Sequence, residues 1–382
     1  MSKTKDDDDE FLPQPDRVEG APHPRDTARL IGQEQAEAQF LDAFTSGRLH
    51  HGWLVTGPRG VGKATLAWRI ARFLLATPDL EDDGLFGAPP PPETLDIPVD
   101  HPVSRRMASG AEPGLFVLRR PYDEKAKRLK REITVDEARK LKSFFSLSSA
   151  DGGRRVVIVD AADELNVSAA NAILKLLEEP PARTVLLLVA HQPSGLLPTI
   201  RSRCRELRLS PLGPEAIAEA LHRAEIETTG DPAALAELAG GSVGEAVRMS
   251  TLGGLAIYAE LIALMGTMPR FDRGRAQALA DAAAQRGAEE KRALLYHLID
   301  LMLARLARTG ATGLLPRADA APGEAEVLRR LAPHAPAGQA WAQGAEEIGA
   351  RLRHGEAVNL DPAALILDTV FKLQSIAGGR AA

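Results

Sequence analysis

The fold is decided by residues 53–65, whose sequence is Trp53-Leu54-Val55-Thr56-Gly57-Pro58-Arg59-Gly60-Val61-Gly62-Lys63-Ala64-Thr65. The first four residues predict a short buried strand and the residues from Lys63 onward predict a helix, so a glycine-rich loop lies between strand and helix. Glycines in such a loop let backbone N–H groups face phosphate oxygens, and a lysine adds positive charge. The stretch therefore predicts a nucleotide-binding loop made of Gly57, Pro58, Arg59, Gly60, Val61, Gly62, Lys63, Ala64 and Thr65.

The last position of this loop departs from the usual pattern. A Ser or Thr normally stands there and its hydroxyl ligates Mg²⁺, but this chain has Ala64. Thr65 follows directly, yet one step along a helix rotates a side chain by about 100°, so its hydroxyl points elsewhere. The loop keeps an anion cradle and lacks its metal ligand. The sequence leaves open whether it holds ATP, ADP or no ligand, in which case it is only a glycine-rich turn.

A second departure follows the buried strand predicted for Val156–Asp160. An aspartate at the end of such a strand is placed to hold Mg²⁺ through water. A hydrolytic site also needs a carboxylate that orients the attacking water, and here Ala161 follows Asp160. Asp163 lies nearby, but the sequence does not give the direction of its side chain. The two alanines argue against Mg²⁺ and against hydrolysis, and the alternative role for Asp160 is a loop or helix-capping carboxylate.

Strand and helix patterns alternate up to Leu209, which predicts an α/β domain with a parallel sheet covered by helices on both faces. After Pro211 the remaining periodicity is helical. Like charges and prolines in the first 25 residues predict a disordered tail. The predicted organisation is this acidic and proline-rich tail (1–25), an α/β nucleotide-binding domain (26–210) with a proline-rich insertion (78–113), a small helical lid (211–252) and a helical C-terminal domain (253–382).

Composition excludes several classes of protein. The net charge is −5, so any contact with nucleic acid depends on a local patch. Cys204 is the only cysteine, which excludes a disulfide framework and a four-cysteine zinc site within this chain. No apolar run approaches the roughly 20 residues that span a bilayer, and the N-terminus has no hydrophobic signal region. We therefore expect a cytoplasmic protein without membrane contact and without a bound metal.

Two further motifs indicate a family. The first is Asn171-Ala172-Ile173-Leu174-Lys175-Leu176-Leu177-Glu178-Glu179-Pro180-Pro181, and the second is Ser202-Arg203-Cys204. Together with Leu30–Gln33 and Leu49–Trp53, they resemble the clamp-loader ATPases of DNA replication, which are AAA+ proteins. The resemblance covers residues 28–250 or so. It implies an AAA+ P-loop domain, a helical lid and an all-α collar domain through which subunits assemble.

The resemblance also implies a role for Arg203. Clamp-loader subunits form a ring of five, each ATP site lies at a boundary between subunits, and the Ser-Arg-Cys arginine of one subunit enters its neighbour's site. Arg203 would then be an arginine finger acting in trans. The implied partners are the motor (tau/gamma) and clamp-opening (delta) subunits, with the sliding clamp and primer–template DNA contacted indirectly.

A motor subunit would carry Ser or Thr in place of Ala64, Glu in place of Ala161 and a sensor arginine in place of Gly244. The resemblance therefore favours an accessory subunit with little or no ATPase activity of its own. Such a subunit is part of a replicative DNA polymerase holoenzyme, a nucleotidyltransferase, and not an independent catalyst. Two alternatives remain open: an autonomous ATPase such as the motor subunit, and a structural adaptor whose loop binds nothing.

Several residues allow a second interpretation. His191 stands where the family has a polar sensor of the γ-phosphate, but a solvent-facing loop histidine fits equally well. Arg203 alone is also compatible with a surface ion pair, and Cys204 with a small packed side chain. Basic residues between 125 and 131 are placed to touch DNA phosphates, although such a cluster is more often a solvated surface. The family's zinc module is absent, because residues 76–113 contain no cysteine.

Overall fold

The computed structural model describes residues 13–78, 90–146, 153–228 and 230–379. Its residues group into two compact units. The first comprises the chain up to Leu212 together with Ser242–Gly244, and the second comprises Gly213–Gly241 and the chain from Glu245 onward.

The first unit contains a parallel sheet and a separate short hairpin. The strands of the sheet are β1 Gly52–Thr56, β2 Leu115–Arg119, β5 Arg155–Asp160, β6 Thr184–Val189 and β7 Arg205–Arg208, and the antiparallel hairpin consists of β3 Tyr122–Asp123 and β4 Arg128–Leu129. The order across the sheet is β2-β5-β6-β1-β7, and every neighbouring pair is parallel. The predicted α/β class with a parallel sheet is confirmed.

Apolar sequence explains which strands are central. Val156–Val159 and Leu186–Leu188 are each at most 1% exposed, as expected for continuous apolar runs covered on both faces. The helices of this unit are α1 Glu34–Thr45, α2 Lys63–Ala76, α3 Pro102–Ala108, α4 Val135–Ser146, α5 Val167–Glu178 and α6 Pro198–Arg201. Because all strands run the same way, the ends of β1, β2, β5 and β6 meet at one edge, with Arg119 opposite Asp160 in the register. The glycine loop leaves β1 at this carboxyl edge.

The second unit consists of helices. They are α7 Pro214–Arg223, α8 Pro232–Leu238, α9 Val243–Leu252 (whose first two residues group with the first unit), α10 Gly254–Gly266, α11 Arg273–Ala284, α12 Glu289–Thr312, α13 Glu324–Leu331, α14 Ala335–Ala357 and α15 Pro362–Ala377. This confirms the predicted change to an all-helical C-terminal region.

A buried ion network joins the predicted lid to the predicted collar. Arg305 of α12 pairs with Glu324 of α13 at 2.7 Å and with Glu237 of α8 at 3.4 Å. Glu324 is fully buried and also accepts a hydrogen bond from the hydroxyl of Tyr258 in α10. A buried carboxylate needs such partners to offset its desolvation. The helices α8 and α12, which lie on either side of the boundary predicted at residues 252 and 253, therefore share this network.

The tail predicted for residues 1–25 needs correction in its described part. Residues 1–12 lie outside the described residues, but residues 13–25 make defined contacts, and we call them the N-terminal strap. The side chain of Asp16 is fully buried, pairs with Arg119 at 3.0 Å, and accepts a hydrogen bond from Trp68 at 3.2 Å. His23 lies 3.5 Å from the same carboxylate. The charge run and the prolines gave no signal of these partners, which lie far away in the sequence.

The described part of the predicted proline-rich insertion contains the helix α3. His101 accepts a hydrogen bond from the backbone of Val103 and caps α3, which begins with Pro102. Asp96 pairs with Arg69 of α2 at 2.9 Å and attaches the insertion to the loop helix. Residues 79–89 of the insertion lie outside the described residues. Within the described part of the chain, no single helix is both long and apolar enough to cross a membrane, and only α9 and α10 counted together, with a bend of 77° between them, reach that length and composition.

Candidate functional site

Neighbouring residues pack closely against the glycine loop. Gly60 and Gly62 have φ angles of +76° and +101°, in the left-handed region that favours glycine. A Cβ on Gly60 would lie 2.1 Å from the Ser242 hydroxyl oxygen, and one on Gly62 would lie 2.5 Å from a methyl carbon of Leu30. Both glycines are therefore required by backbone conformation and by close approach. The predicted strand–loop–helix context is confirmed, with α2 beginning at Lys63.

Lys63 is bonded to the loop itself. It is 3% exposed, and its Nζ donates hydrogen bonds to the carbonyls of Gly57 at 2.8 Å and Pro58 at 2.5 Å. Burial lowers its pKa to about 8, although the charge of Asp160 opposes this shift. A lysine in this position holds a positive charge at the mouth of the loop, and an incoming phosphate would compete with two carbonyl oxygens for it.

Thr65 and Asp163 do not take over the functions that are missing at Ala64 and Ala161. Ala64 and Thr65 are the second and third residues of α2, so their side chains diverge by about 100° around the helix. Ala161 is 2% exposed and follows Asp160 directly. Asp163, whose direction the sequence left open, accepts hydrogen bonds from the backbone N–H groups of His191 at 3.1 Å and Gln192 at 2.9 Å. Both of its oxygens are therefore engaged in holding the turn after β6.

Asp160 is buried, at 5% exposure, at the carboxyl end of β5. Burial raises its pKa to about 7, the nearby charges of Asp16 and Glu164 add to the shift, and Lys63 opposes it. A carboxyl group of this kind is partly protonated at neutral pH. Position 64 offers no hydroxyl, so of the two magnesium ligands expected at this loop only Asp160 is present. No group of three or more His, Cys, Asp or Glu side chains suited to a metal occurs among the described residues.

His191 lies beside the loop in a neutral state. Burial lowers its pKa to about 4, and the charges of Lys63 and Arg59 lower it further. Its Nδ1 is buried without a hydrogen-bond partner in the described part of the chain. The residue as a whole is half-buried. A neutral imidazole with one unused ring nitrogen is available to a ligand in the loop, and the sensor role stays a prediction.

Two contacts at the site were not foreseen from the sequence. The backbone N–H of Gly244 donates to the carbonyl of Gly60 at 3.1 Å, and a Cβ on Gly244 would lie 3.3 Å from the Gly60 Cα. Where a motor subunit would carry a sensor arginine, this chain therefore has a glycine whose backbone contacts the loop.

The N-terminal strap makes the second contact. Burial alone would raise the pKa of Asp16, but hydrogen bonding with His23 and the charge of Arg119 hold it at about 2.

Arg203 lies at the opposite edge of the sheet. Its carbonyl oxygen would be 3.1 Å from a Cβ on Gly52, which begins β1, whereas the glycine loop leaves the other end of that strand. The guanidinium donates to the Thr199 carbonyl at 3.0 Å and pairs with Glu178 at 2.9 Å. Burial raises the pKa of the Cys204 thiol to about 12, which agrees with a packing role and excludes a reactive thiolate. The structure thus places Arg203 away from the glycine loop of its own chain.

Residues 32–213 match the family model described as DNA polymerase III, delta subunit. The chain is 39% identical to DNA polymerase III subunit delta' of Pseudomonas aeruginosa over 174 residues, which is 46% of this chain and 47% of the relative. It is 30% identical to the delta' subunit of Bacillus subtilis over 182 residues, 48% of this chain and 49% of the relative.

This part of the chain is therefore similar in sequence to delta' subunits of DNA polymerase III.

The similarity extends to a tau subunit as well. The chain is 29% identical to DNA polymerase III subunit tau of Escherichia coli over 301 residues, which is 73% of this chain and 43% of that protein. The chain spans about half the length of the curated delta' relatives it matches.

Proposed function

We propose that this delta'-type chain is an accessory subunit of a clamp loader that donates Arg203 to the ATP site of a neighbouring subunit and has little or no ATPase activity of its own. Its partners would be tau/gamma and delta subunits in a pentameric, cytoplasmic ring that loads a sliding clamp on primed DNA. The observation that carries this proposal is the position of Arg203 at the amino edge of the sheet, away from the chain's own glycine loop.

Geometry excludes a role for Arg203 at its own loop. Strand β1 has five residues, and at about 3.3 Å per residue it separates the two edges by roughly 15 Å. The backbone of Arg203 lies at the start of that strand and the loop lies at its end. An arginine finger must come within hydrogen-bond distance of a phosphate, so this separation favours a phosphate held by another molecule.

Charge chemistry supports the donated arginine. A guanidinium stays charged at any physiological pH and matches phosphate oxygens with a planar pair of donors. The Arg203 side chain is 38% exposed and its partner Glu178 is 42% exposed. Ion pairs of such exposure contribute roughly 0–1 kcal/mol. Transfer of Arg203 from Glu178 to a neighbour's phosphate therefore costs little.

The chain's own site supports the second half of the proposal. Backbone amides and Lys63 still form a phosphate cradle, but Ala64 offers no metal ligand and Asp163 is held by two amides. Asp160 retains its proton up to about pH 7. We infer that the loop binds ATP or ADP through phosphate contacts without Mg²⁺ and without turnover.

The test is the ATPase activity of a loader reconstituted from this chain with tau/gamma and delta subunits. Arg203→Ala should remove the share of DNA-stimulated hydrolysis that depends on this chain, since an arginine finger contributes about 10³–10⁵ in rate at the site it serves. Arg201→Ala is the matched control, because Arg201 is exposed and lies two residues away. Co-elution of the ring must be unchanged in both variants. Equal ATPase activity in both variants would exclude the finger role.

A second measurement separates this proposal from an autonomous ATPase. The isolated chain is incubated with ATP and Mg²⁺, with Lys63→Ala as the comparison. We expect hydrolysis at the background rate in both. A clear rate that is lost in Lys63→Ala would identify a working motor site and would contradict the accessory role.

A further inference from the structure

The hairpin β3–β4 and the residues directly after it carry a dense set of positive charges. We call residues 122–132 the basic hairpin. Its five cationic side chains are all exposed: Lys125, Lys127, Arg128, Lys130 and Arg131. None of them forms an ion pair or a side-chain hydrogen bond with another residue in the described ranges. The chain as a whole carries a net charge of −5, so this local excess is opposite in sign to the rest of the molecule.

The acidic side chains of the segment do not neutralise this excess. Three carboxylates, Asp123, Glu124 and Glu132, stand against the five cations. One oxygen of Asp123 accepts hydrogen bonds from the backbone N–H groups of Lys125 and Ala126, both at 3.0 Å. This carboxylate is therefore engaged in forming the turn. Hydrogen bonds from the backbone, that of Ala126 first, lower its pKa.

Backbone contacts hold the hairpin in shape. Tyr122 pairs with Leu129 and Asp123 pairs with Arg128 across the two strands. Just beyond the strands, the N–H of Lys130 donates to the carbonyl of Pro121 at 2.9 Å. The cations thus stand on an ordered scaffold, and less conformational entropy is lost when they bind a ligand.

The base of the hairpin is anchored to the sheet. Ile133 is fully buried, and its N–H donates to the carbonyl of Glu164 at 2.8 Å. On the other side, Arg120 forms an ion pair with the Glu164 carboxylate at 2.6 Å. Glu164 belongs to the short turn that follows Asp160. The basic hairpin is therefore fixed to the carboxyl edge of the sheet at both of its ends.

We propose that the basic hairpin binds the phosphate backbone of nucleic acid, as a direct contact made by this chain. Phosphate backbones are recognised by cations without sequence information. A protein partner would instead need an apolar or aromatic anchor in the patch. Among the described residues, the exposed large apolar side chains are Val99, Val167, Leu314, Val358, Leu360 and Phe371. None belongs to the hairpin, which favours nucleic acid over an acidic protein.

The test uses the full chain alone, so it does not depend on the ring or on Arg203. Binding to a labelled DNA duplex with a recessed primer end is measured by fluorescence anisotropy from about 50 to about 200 mM salt. Lys125→Gln combined with Lys127→Gln removes two charges from the hairpin tip. The control, Arg286→Gln combined with Lys291→Gln, removes two exposed charges from the second unit and leaves the same net charge. Circular dichroism checks the fold of both variants.

We expect the hairpin variant to bind at least tenfold more weakly at the lowest salt. Its slope of log K against log salt should fall by about 1.8, because each lost phosphate contact removes about 0.9. The control should bind like the wild type. Four results would overturn the proposal: no binding by the wild-type chain at the lowest salt, equal binding by the hairpin variant, equal losses in both variants, or binding of polyglutamate as tightly as DNA. Each of these would leave the role proposed for Arg203 untouched.

Discussion

Arg203 and Glu178 form an ion pair in which the guanidinium Nη2 lies 2.9 Å from the carboxylate oxygen. Glu178 is the last residue of α5 and belongs to the Asn171–Pro181 motif, whereas Arg203 belongs to the Ser-Arg-Cys motif. The two motifs that carried the family resemblance therefore meet in space. The pair orients the arginine on the surface while leaving more than a third of each side chain exposed.

Glu178→Gln should release Arg203 from this pair. Because exposed ion pairs contribute roughly 0–1 kcal/mol, the free energy of unfolding should change by less than about 1 kcal/mol. In the reconstituted ring, the freed guanidinium should raise the ATPase rate that depends on Arg203 by at most about fivefold, the factor equivalent to 1 kcal/mol. Steady-state ATPase assays measure this, with Glu179→Gln as the control. A fall in activity would show that Glu178 positions the arginine for its neighbour instead of competing for it.

Asp160 makes stability depend on pH. Its pKa is raised from 3.8 to about 7 in the folded chain, so the folded state keeps a proton that the unfolded state has lost. This contribution to stability is fully present below pH 3.8 and is lost as the pH rises through 7. Between about pH 5 and pH 7.5, the wild type should lose about 2 kcal/mol through this group.

Asp160→Asn should remove that dependence, since an amide does not titrate. Urea unfolding at the two pH values measures the free energy of unfolding of both proteins. As the pH rises from about 5 to about 7.5, the wild type should lose stability relative to Asp160→Asn. Asp319→Asn is the comparison, because Asp319 lies in the second unit and is exposed. An identical pH dependence in the wild type and Asp160→Asn would contradict the shifted carboxyl group.

The sheet and the loop could be predicted from the sequence because their signals are local. The apolar runs at Val156–Val159 and Leu186–Leu188 form the centres of β5 and β6, and the glycine loop stands between a strand and a helix in the sequence itself. The opposite placement of Arg203 and the loop also follows from a parallel sheet once β1 and β7 are neighbours. The sequences of β1 and β7, however, do not predict that these two strands are neighbours, because this depends on the order of strands in the sheet.

The rest depended on contacts between distant parts of the chain. Gly244 contacts Gly60 across a long stretch of sequence, and nothing in the segment around Gly244 names its partner. Asp16 lies in a segment whose charges and prolines are typical of disorder, yet Arg119 and Trp68 compensate its burial. Asp163 required the position of the β6 turn before its direction was defined. Composition cannot report such compensation, because it arises from tertiary packing.

Asp16→Ala should destabilise the first unit strongly. The change leaves the Arg119 guanidinium and the Trp68 N–H without their carboxylate, and breaking a buried pair in this way costs about 3–5 kcal/mol. Because the pKa of Asp16 is lowered to about 2, this stabilisation is present above pH 3.8 and is lost as the pH falls through 2. Urea unfolding near neutral pH measures the loss.

Asp26→Ala is the matched control. The Asp26 side chain is 45% exposed and pairs with Arg25 at 3.6 Å, so its removal should lower the free energy of unfolding by less than about 1 kcal/mol. Similar losses in both variants would mean that the strap is not held by Asp16.

The loop itself gives the last prediction, which concerns nucleotide binding without a metal. A fluorescent ADP analogue should bind the isolated chain equally in Mg²⁺ and in EDTA, because Ala64 supplies no ligand and Asp160 keeps its proton up to about pH 7. Lys63→Ala should weaken binding at least tenfold by removing the charge that faces the phosphates, a loss of about 1.4 kcal/mol. Thr65→Ala should bind like the wild type, since the Thr65 hydroxyl points away from the loop around the helix.

Ala64→Thr restores the missing hydroxyl and should make binding tighter in Mg²⁺ than in EDTA. If the wild type bound only with Mg²⁺, another oxygen ligand would have to replace the missing hydroxyl, and if no variant bound the analogue at all, the loop would be a structural turn.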